Sequence, residues 1–331
     1  MFYKNIVTQG YILIMEQLYP LIRAVTIFFL LVISIQILKR RGIFTTSHLP
    51  IFGRLITELV LPITIFSTMA VSRVEFQFIF AAGIYLAVSL MICGVAYLIC
   101  RFFHFSSAVT GSLVILAGFG STSTIAYPLI SQTYGAASEA MTRALIIGEF
   151  GSAIPFFTLG VLLVAYFGQK TGDHNGGWFE NLKSFLTTPI FLSLIAGLAV
   201  SLIPPLSSLM ASDFFSAFFA YFNNGFELLV AITIGLMLRP VKINEILLYL
   251  AITVPLALII MPLSVYGLAT LFQVPAMTRE ILVIEAAVPS GAIAAVMADR
   301  YGCDGPLAST IVVVTFLFSL ITIPLLSVFL L

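Results

Sequence analysis

Two runs of small, polar and helix-breaking residues interrupt otherwise apolar stretches of this chain. The first reads Gly118-Phe119-Gly120-Ser121-Thr122-Ser123-Thr124 and is followed by Pro128. The second reads Glu285-Ala286-Ala287-Val288-Pro289-Ser290-Gly291. Each falls inside an apolar segment, roughly 110–133 and 280–301, long enough to cross a bilayer. Non-helical backbone at that depth is tolerated only inside protein or beside a water-filled cavity. A break exposes backbone N–H groups and a partly positive helix end, which holds an anion without any lysine or arginine. Hydroxyls there can cap the helix or donate to a ligand. The expected substrate-binding residues are therefore Ser121, Thr122, Ser123, Thr124, Pro128, Pro289, Ser290 and Gly291. The plainer account is that the glycines and serines pack helices and the prolines kink them. Two breaks in corresponding halves favour the binding site.

Four carboxylates, Glu58, Glu149, Glu227 and Glu285, also fall inside apolar segments. Each costs about 2.5–3.5 kcal/mol at mid-helix on insertion scales, so each implies a partner, a cavity or a bound proton. Glu285 lies one turn before Pro289 and is the candidate for coupling, to H+ or to Na+. Glu58 and Glu227 read as hydrogen-bonded to neighbouring helices, and Glu149 has no assigned role. Tyr127, beside Pro128, reads as packing. His48, His104 and His174 fall in predicted loops, and no metal site or cofactor is expected.

The elements that must position these groups follow from composition. The 331 residues are 60% hydrophobic and 9% charged, with a mean hydropathy of +1.14. A soluble domain carries about 25% charge, so the solvent here is the lipid bilayer. Apolar runs of helical length favour helices over a barrel. The net charge of +1 gives no reason to expect nucleic acid. Cys93, Cys100 and Cys303 read as ordinary small apolar residues rather than a disulfide framework.

Ten spans are predicted, at 20–38, 51–70, 77–100, 107–131, 142–167, 188–205, 216–238, 245–271, 279–300 and 306–330. The chain divides into an N-terminal segment (1–19), a first five-helix repeat (20–167), a polar cytoplasmic linker (168–187) and a second repeat (188–331). Residues 1–14 read either as a surface segment or as lying before the native start, since Met15 offers a second one. Glu58-Leu59-Val60-Leu61 aligns with Glu227-Leu228-Leu229-Val230, and Pro20 with Pro189, at one offset. Tyr134-Gly135 and Tyr301-Gly302 align at nearly the same offset. That register sets Thr122 opposite Pro289. An odd number of spans per half inverts the second repeat in the membrane. Lysines and arginines crowd the loops of one side, which is therefore cytoplasmic, with both termini outside. A multi-pass protein of the cell membrane is expected.

The run from Glu285 through Pro289-Ser290-Gly291 to Asp299-Arg300-Tyr301-Gly302 resembles the auxin efflux carrier family. That family includes the plant PIN auxin exporters and bacterial carriers of malonate and other organic acids. The likeness continues through Leu307-Ala308-Ser309-Thr310 to Ile321-Thr322-Ile323-Pro324, and it extends to Ser121–Pro128 and Leu59-Val60-Leu61-Pro62. The resemblance implies an all-α polytopic protein with ten transmembrane helices in two inverted five-helix repeats and two broken crossover helices. It implies a scaffold of spans 1, 2, 6 and 7, a moving transport domain and a homodimer. The family has Asn where this chain has Ser121, which counts against indole-acetate.

The expected function is a secondary transporter moving a small organic anion, a carboxylate, outward by an elevator-type cycle. An H+- or Na+-coupled importer resembling the bile-acid symporters is the alternative, and a channel a further one. No His-Glu-x-x-His, paired mid-membrane Asp or in-span Ser/His pair is present, so an enzyme is not expected.

Overall fold

The computed structural model describes residues 23, 26–71, 78–134, 138–168, 187–238 and 243–330. The described elements are all helical. We number them α1 (26–40), α2 (Thr46–Val71), α3 (Ile79–Phe102), α4 (Ser107–Gly118), α5 (122–134), α6 (Glu139–Phe167) and α7 (Pro189–Ser201). Then follow α8 (Pro204–Met210), α9 (Asp213–Met237), α10 (243–271), α11 (Ala276–Ala286), α12 (Ala292–Arg300) and α13 (Gly305–Leu330).

Six of these are long and apolar enough to cross a membrane, or seven if α7 and α8, bent by 115°, count as one span. The other expected spans have identifiable reasons for falling short. The segments at 107–131 and 279–300 are each cut in two by a break. The start of the first span lies outside the described residues, as do 1–19 and residues 169–186 of the linker. Large apolar side chains on the outside, such as Phe102, Phe214, Tyr221 and Phe329, need a lipid environment.

Prolines shape the long helices. A proline lacks an N–H, and its ring collides with the carbonyl four residues earlier. Pro62, Pro155 and Pro262 each place that displaced carbonyl inside a wide π-helical turn, at Ile56–Val60, Gly148–Ala153 and Leu256–Ile260 respectively. Such turns reroute the ladder instead of ending the helix. Pro204-Pro205 stops α7 and starts α8 at the sharp bend. Serine and threonine caps start other helices: the side chains of Ser106, Ser138 and Thr188 accept from Val109, Met141 and Phe191 N–H groups.

Helices α1, α2, α7 and α9 pack together. Helix α7 lies so close to α2 that a Cβ on Gly197 would fall 2.6 Å from the Met69 Cβ. A Cβ on Gly235 of α9 would fall 2.9 Å from Ile35 of α1. Lys39 of α1 donates to the carbonyls of Leu236 and Leu238 at 2.8 Å, closing the C-terminus of α9 with charge of the favoured sign. The remaining helices surround the two breaks, α4 against α3, α11 against α10 and α12 against α13. Cys93, Cys100 and Cys303 are buried and free, and Cys303 packs where Gly111 leaves room.

Candidate functional site

The two breaks cross. Helix α4 ends at Gly118 and α5 begins at Thr122, while α11 ends at Ala286 and α12 begins at Ala292. The connecting strips run antiparallel, with Gly120 paired to Ser290. The Ser121 N–H donates to the Pro289 carbonyl at 2.8 Å, and the Gly291 N–H donates to the Phe119 carbonyl at 2.9 Å. This exchange satisfies backbone groups that would otherwise be bare at mid-fold. It also sets the register of the crossing. Ser121 and Gly291 occupy the same position, each the residue just before the inner half-helix that follows. That differs from the sequence alignment, which set Thr122 opposite Pro289. Pairing of backbone, rather than the offset of the flanking sequence matches, decides which residues correspond.

Close approach at the crossing requires small residues. A Cβ on Gly120 would sit 2.7 Å from a methyl of Val288, and one on Gly118 would collide with the Cys93 thiol.

A cavity of about 430 Å³ lies against the crossing. Gly120, Ser121 and Thr122 line it from the first break, and Gly291, Ala292, Ile293 and Ala294 from the second. The opposite wall comes from α1, α2, α7 and α9, including Phe28, Thr64, Thr68, Leu194, Phe226 and Val230. Helix α6 adds Glu149, Ser152, Phe156 and Phe157. The first N–H groups of α5 and α12 have no carbonyl partner within their own helices. Two partly positive ends thus converge on one chamber with apolar walls.

The expected binding residues are distributed unequally around it. Ser121, Thr122 and Gly291 line the cavity. Pro289 is buried and contributes its carbonyl to the pairing. Ser290 is fully buried; its hydroxyl donates to the Leu116 carbonyl at 2.7 Å, and its N–H donates to the Thr315 hydroxyl at 3.2 Å. Ser123, Thr124 and Pro128 lie on α5, and their side chains fall outside the description, as does that of Glu227. Glu285 is fully buried in the last turn of α11. Both its carboxyl oxygens lack a hydrogen-bond partner among the described residues.

Several contributors had no strong signal in the sequence. Arg23, in the first turn of the span predicted at 20–38, lines the cavity. Glu149 was visible as an in-span carboxylate, and the structure gives it a place on the cavity wall with a 3.1 Å hydrogen bond from the Tyr127 hydroxyl. Glu58 is half-exposed at the edge of α2, where it pairs with Arg54 at 3.4 Å and with Arg300 of α12 at 3.1 Å.

An all-helical, multi-pass membrane protein with crossed helix breaks over a chamber belongs among transport proteins. The chain is a member of the membrane transport protein family, the auxin efflux carrier family, whose profile matches residues 20–175 and 178–327. It is similar to an uncharacterised transporter of Methanothermobacter thermautotrophicus, 25% identical over 307 residues, covering 90% of this chain and 94% of that protein. It is also similar to an uncharacterised transporter of Methanocaldococcus jannaschii, 22% identical over 289 residues, covering 86% and 90% respectively.

Proposed function

We propose that this protein is a secondary transporter that moves a small organic anion, a carboxylate, outward across the cell membrane. The observation that carries the reading is the chamber itself, which both breaks line and which the α1, α2, α7 and α9 group closes from the other side. The anion's charge rests on the exposed N–H groups at the starts of α5 and α12, with the Ser121 and Thr122 hydroxyls beside them. Arg23 adds a positive group on the same chamber. The apolar remainder of the substrate packs against the phenylalanines of α1, α6 and α9.

The same packing supports an elevator cycle. The two groups of helices share the chamber as a seam, and sliding one past the other would expose the site alternately to each side. In this reading α1, α2, α7 with α8, and α9 form a scaffold that dimerises, and ten spans make two inverted repeats. The linker at 168–187 joins the repeats on the cytoplasmic side, and the family match pauses within it, at 176–177. Both termini lie outside.

A ligand-stabilisation screen of the purified protein against mono- and dicarboxylates, with and without Na+, tests this. A carboxylate at about a hundredfold excess over its Kd stabilises by about 2.7 kcal/mol, a shift that thermal unfolding reads. Thr122→Leu, which fills the chamber, should abolish that shift while leaving the unliganded protein folded. No stabilisation by any carboxylate, or full stabilisation of Thr122→Leu, would overturn the site. Counterflow in proteoliposomes then assigns direction, and a Na+ requirement would replace efflux with the symport reading.

A further inference from the structure

Two buried carboxyls, Glu149 on the chamber wall and Glu285 in the last turn of α11, both interact with the Tyr127 hydroxyl. The Glu285 carboxyl is wholly enclosed and has no hydrogen-bond partner among the described residues, and its flanking residues Ile284 and Ala286 are buried and apolar. Leaving a bare carboxylate in such a place costs several kcal/mol unless a partner or a proton arrives. Glu149 lies on the wide turn of α6 within electrostatic reach of it and opens onto the chamber. The Tyr127 hydroxyl of α5 donates to Glu149 and is also within electrostatic reach of Glu285. Gly148 makes room for this arrangement, because a Cβ there would collide with the Tyr127 hydroxyl and ring.

The surroundings of Glu285 are otherwise poor in charge. From α3, the Tyr85 hydroxyl donates to the Glu285 backbone carbonyl at 3.3 Å. From α10, Tyr266 lies under Arg279, at the opposite end of α11. On α6, Arg143 reaches Thr278, also at that far end. Among the described residues no three His, Cys, Asp or Glu side chains gather as a metal site would require.

We infer that Glu149 and Glu285 form a proton site of the transport cycle, loaded from the chamber at Glu149 and joined to Glu285 by the Tyr127 hydroxyl. This rests on the transport reading above and names its coupling ion. A hydronium ion in the chamber protonates Glu149. With the Tyr127 hydroxyl turned toward Glu285, the Glu149 O–H bond breaks and its proton passes to the tyrosine oxygen. The tyrosine's own proton passes to Glu285 in the same step. Glu149 ends ionised, Glu285 neutral and Tyr127 unchanged, with one proton moved and nothing oxidised. A neutral Glu285 removes the negative charge behind the crossing, so the anion and the proton favour each other's binding.

Infrared difference spectroscopy of the protein in lipid, across steps of pH, reads carboxyl protonation without any substrate. Comparison of wild type with Glu149→Gln and Glu285→Gln should resolve two coupled steps. Each variant should lose one step and move the other, because the steps belong to the pair. Tyr127→Phe should keep both steps and delay the second after a pH jump. Glu149→Asp, which keeps the charge but draws it back from the tyrosine, should delay it too and serves if a Gln variant does not fold. A Glu285 step unmoved by Glu149→Gln, or a wild-type time course in Tyr127→Phe, overturns the proton site. If those results came with intact carboxylate stabilisation, the anion site would stand without it. Coupled titration with no carboxylate stabilisation would reverse that outcome.

Discussion

The first and second breaks meet at a single crossing but direct their polar groups differently. At the first, the Ser121 side chain caps nothing in α5, and Ser121 and Thr122 face the chamber. At the second, the Ser290 hydroxyl turns away and closes a carbonyl in the last turn of α4, where helical carbonyls lack partners. What the second break shows to the chamber is Gly291, Ala292, Ile293 and Ala294, none with a polar side chain. The cause is geometric. In extended backbone, successive side chains leave on opposite sides. Ser290 therefore departs from the crossing on the side opposite its neighbours. One break holds the crossing shut and the other offers hydroxyls, although each carries serine beside glycine.

The largest expected effect comes from the pairing that both breaks share. Gly120→Val places a branched side chain where even a Cβ is 2.7 Å from Val288. It should cost about 1–3 kcal/mol of stability as an overpacked core substitution and abolish transport. Gly291→Ala is the contrast, because its Cβ would meet the Gly120 and Phe119 carbonyls at 3.4 Å, which the crossing accommodates with little movement. Thermal unfolding of both variants checks this. Equal destabilisation would mean that the two strips are not packed as described.

The serines come next and separate holding from binding. Ser290→Ala leaves the Leu116 carbonyl buried and unpaired, at a cost of about 1–3 kcal/mol. Ser121→Ala removes a hydroxyl that caps nothing, so stability should change by less than about 0.5 kcal/mol. Carboxylate binding should instead weaken, by about tenfold for one lost hydrogen bond of about 1.4 kcal/mol. Paired unfolding and binding measurements would break the comparison if Ser121→Ala proved the less stable protein or Ser290→Ala the weaker binder.

Much of this architecture was legible before the fold was known, because membrane backbone has few permitted forms. Glycines, hydroxyls and a proline inside apolar runs read as breaks, and both breaks lie within the runs read at 118–124 and 285–291. The direction of each side chain was not legible. Ser121 and Ser290 carry the same chemistry, and only the antiparallel pairing assigns them to different sides. The in-span carboxylates make the same point. Glu58 and Glu285 both interrupt apolar sequence, yet one reaches the surface and finds two arginines while the other is sealed. The far wall of the chamber was the least legible part. Thr64, Phe226 and Val230 sit in ordinary apolar helices and become chamber residues only because α2 and α9 face the crossing.

The smallest effect concerns the outer ends of the two inner half-helices. At the end of α5, the Tyr134 hydroxyl donates to Glu280 of α11 at 3.0 Å, which ties the first break's helix to its crossing partner. Close to the end of α12, Arg300 pairs at 3.1 Å with Glu58 of α2, in the other group of helices. If the crossing moves against α2 during transport, the second contact must part in each cycle and the first must not. The Glu58 pair is half-exposed and should contribute at most about 1 kcal/mol, so Glu58→Gln should barely change unfolding. Its signature should be kinetic. Screening by salt weakens an exposed ion pair, so wild-type exchange in proteoliposomes should quicken as ionic strength rises. Glu58→Gln should be fast at low salt and insensitive to further salt, whereas Glu280→Gln should keep the wild-type dependence. The reverse pattern would place the moving seam between α5 and α11, and the two breaks would then travel separately rather than as one crossing.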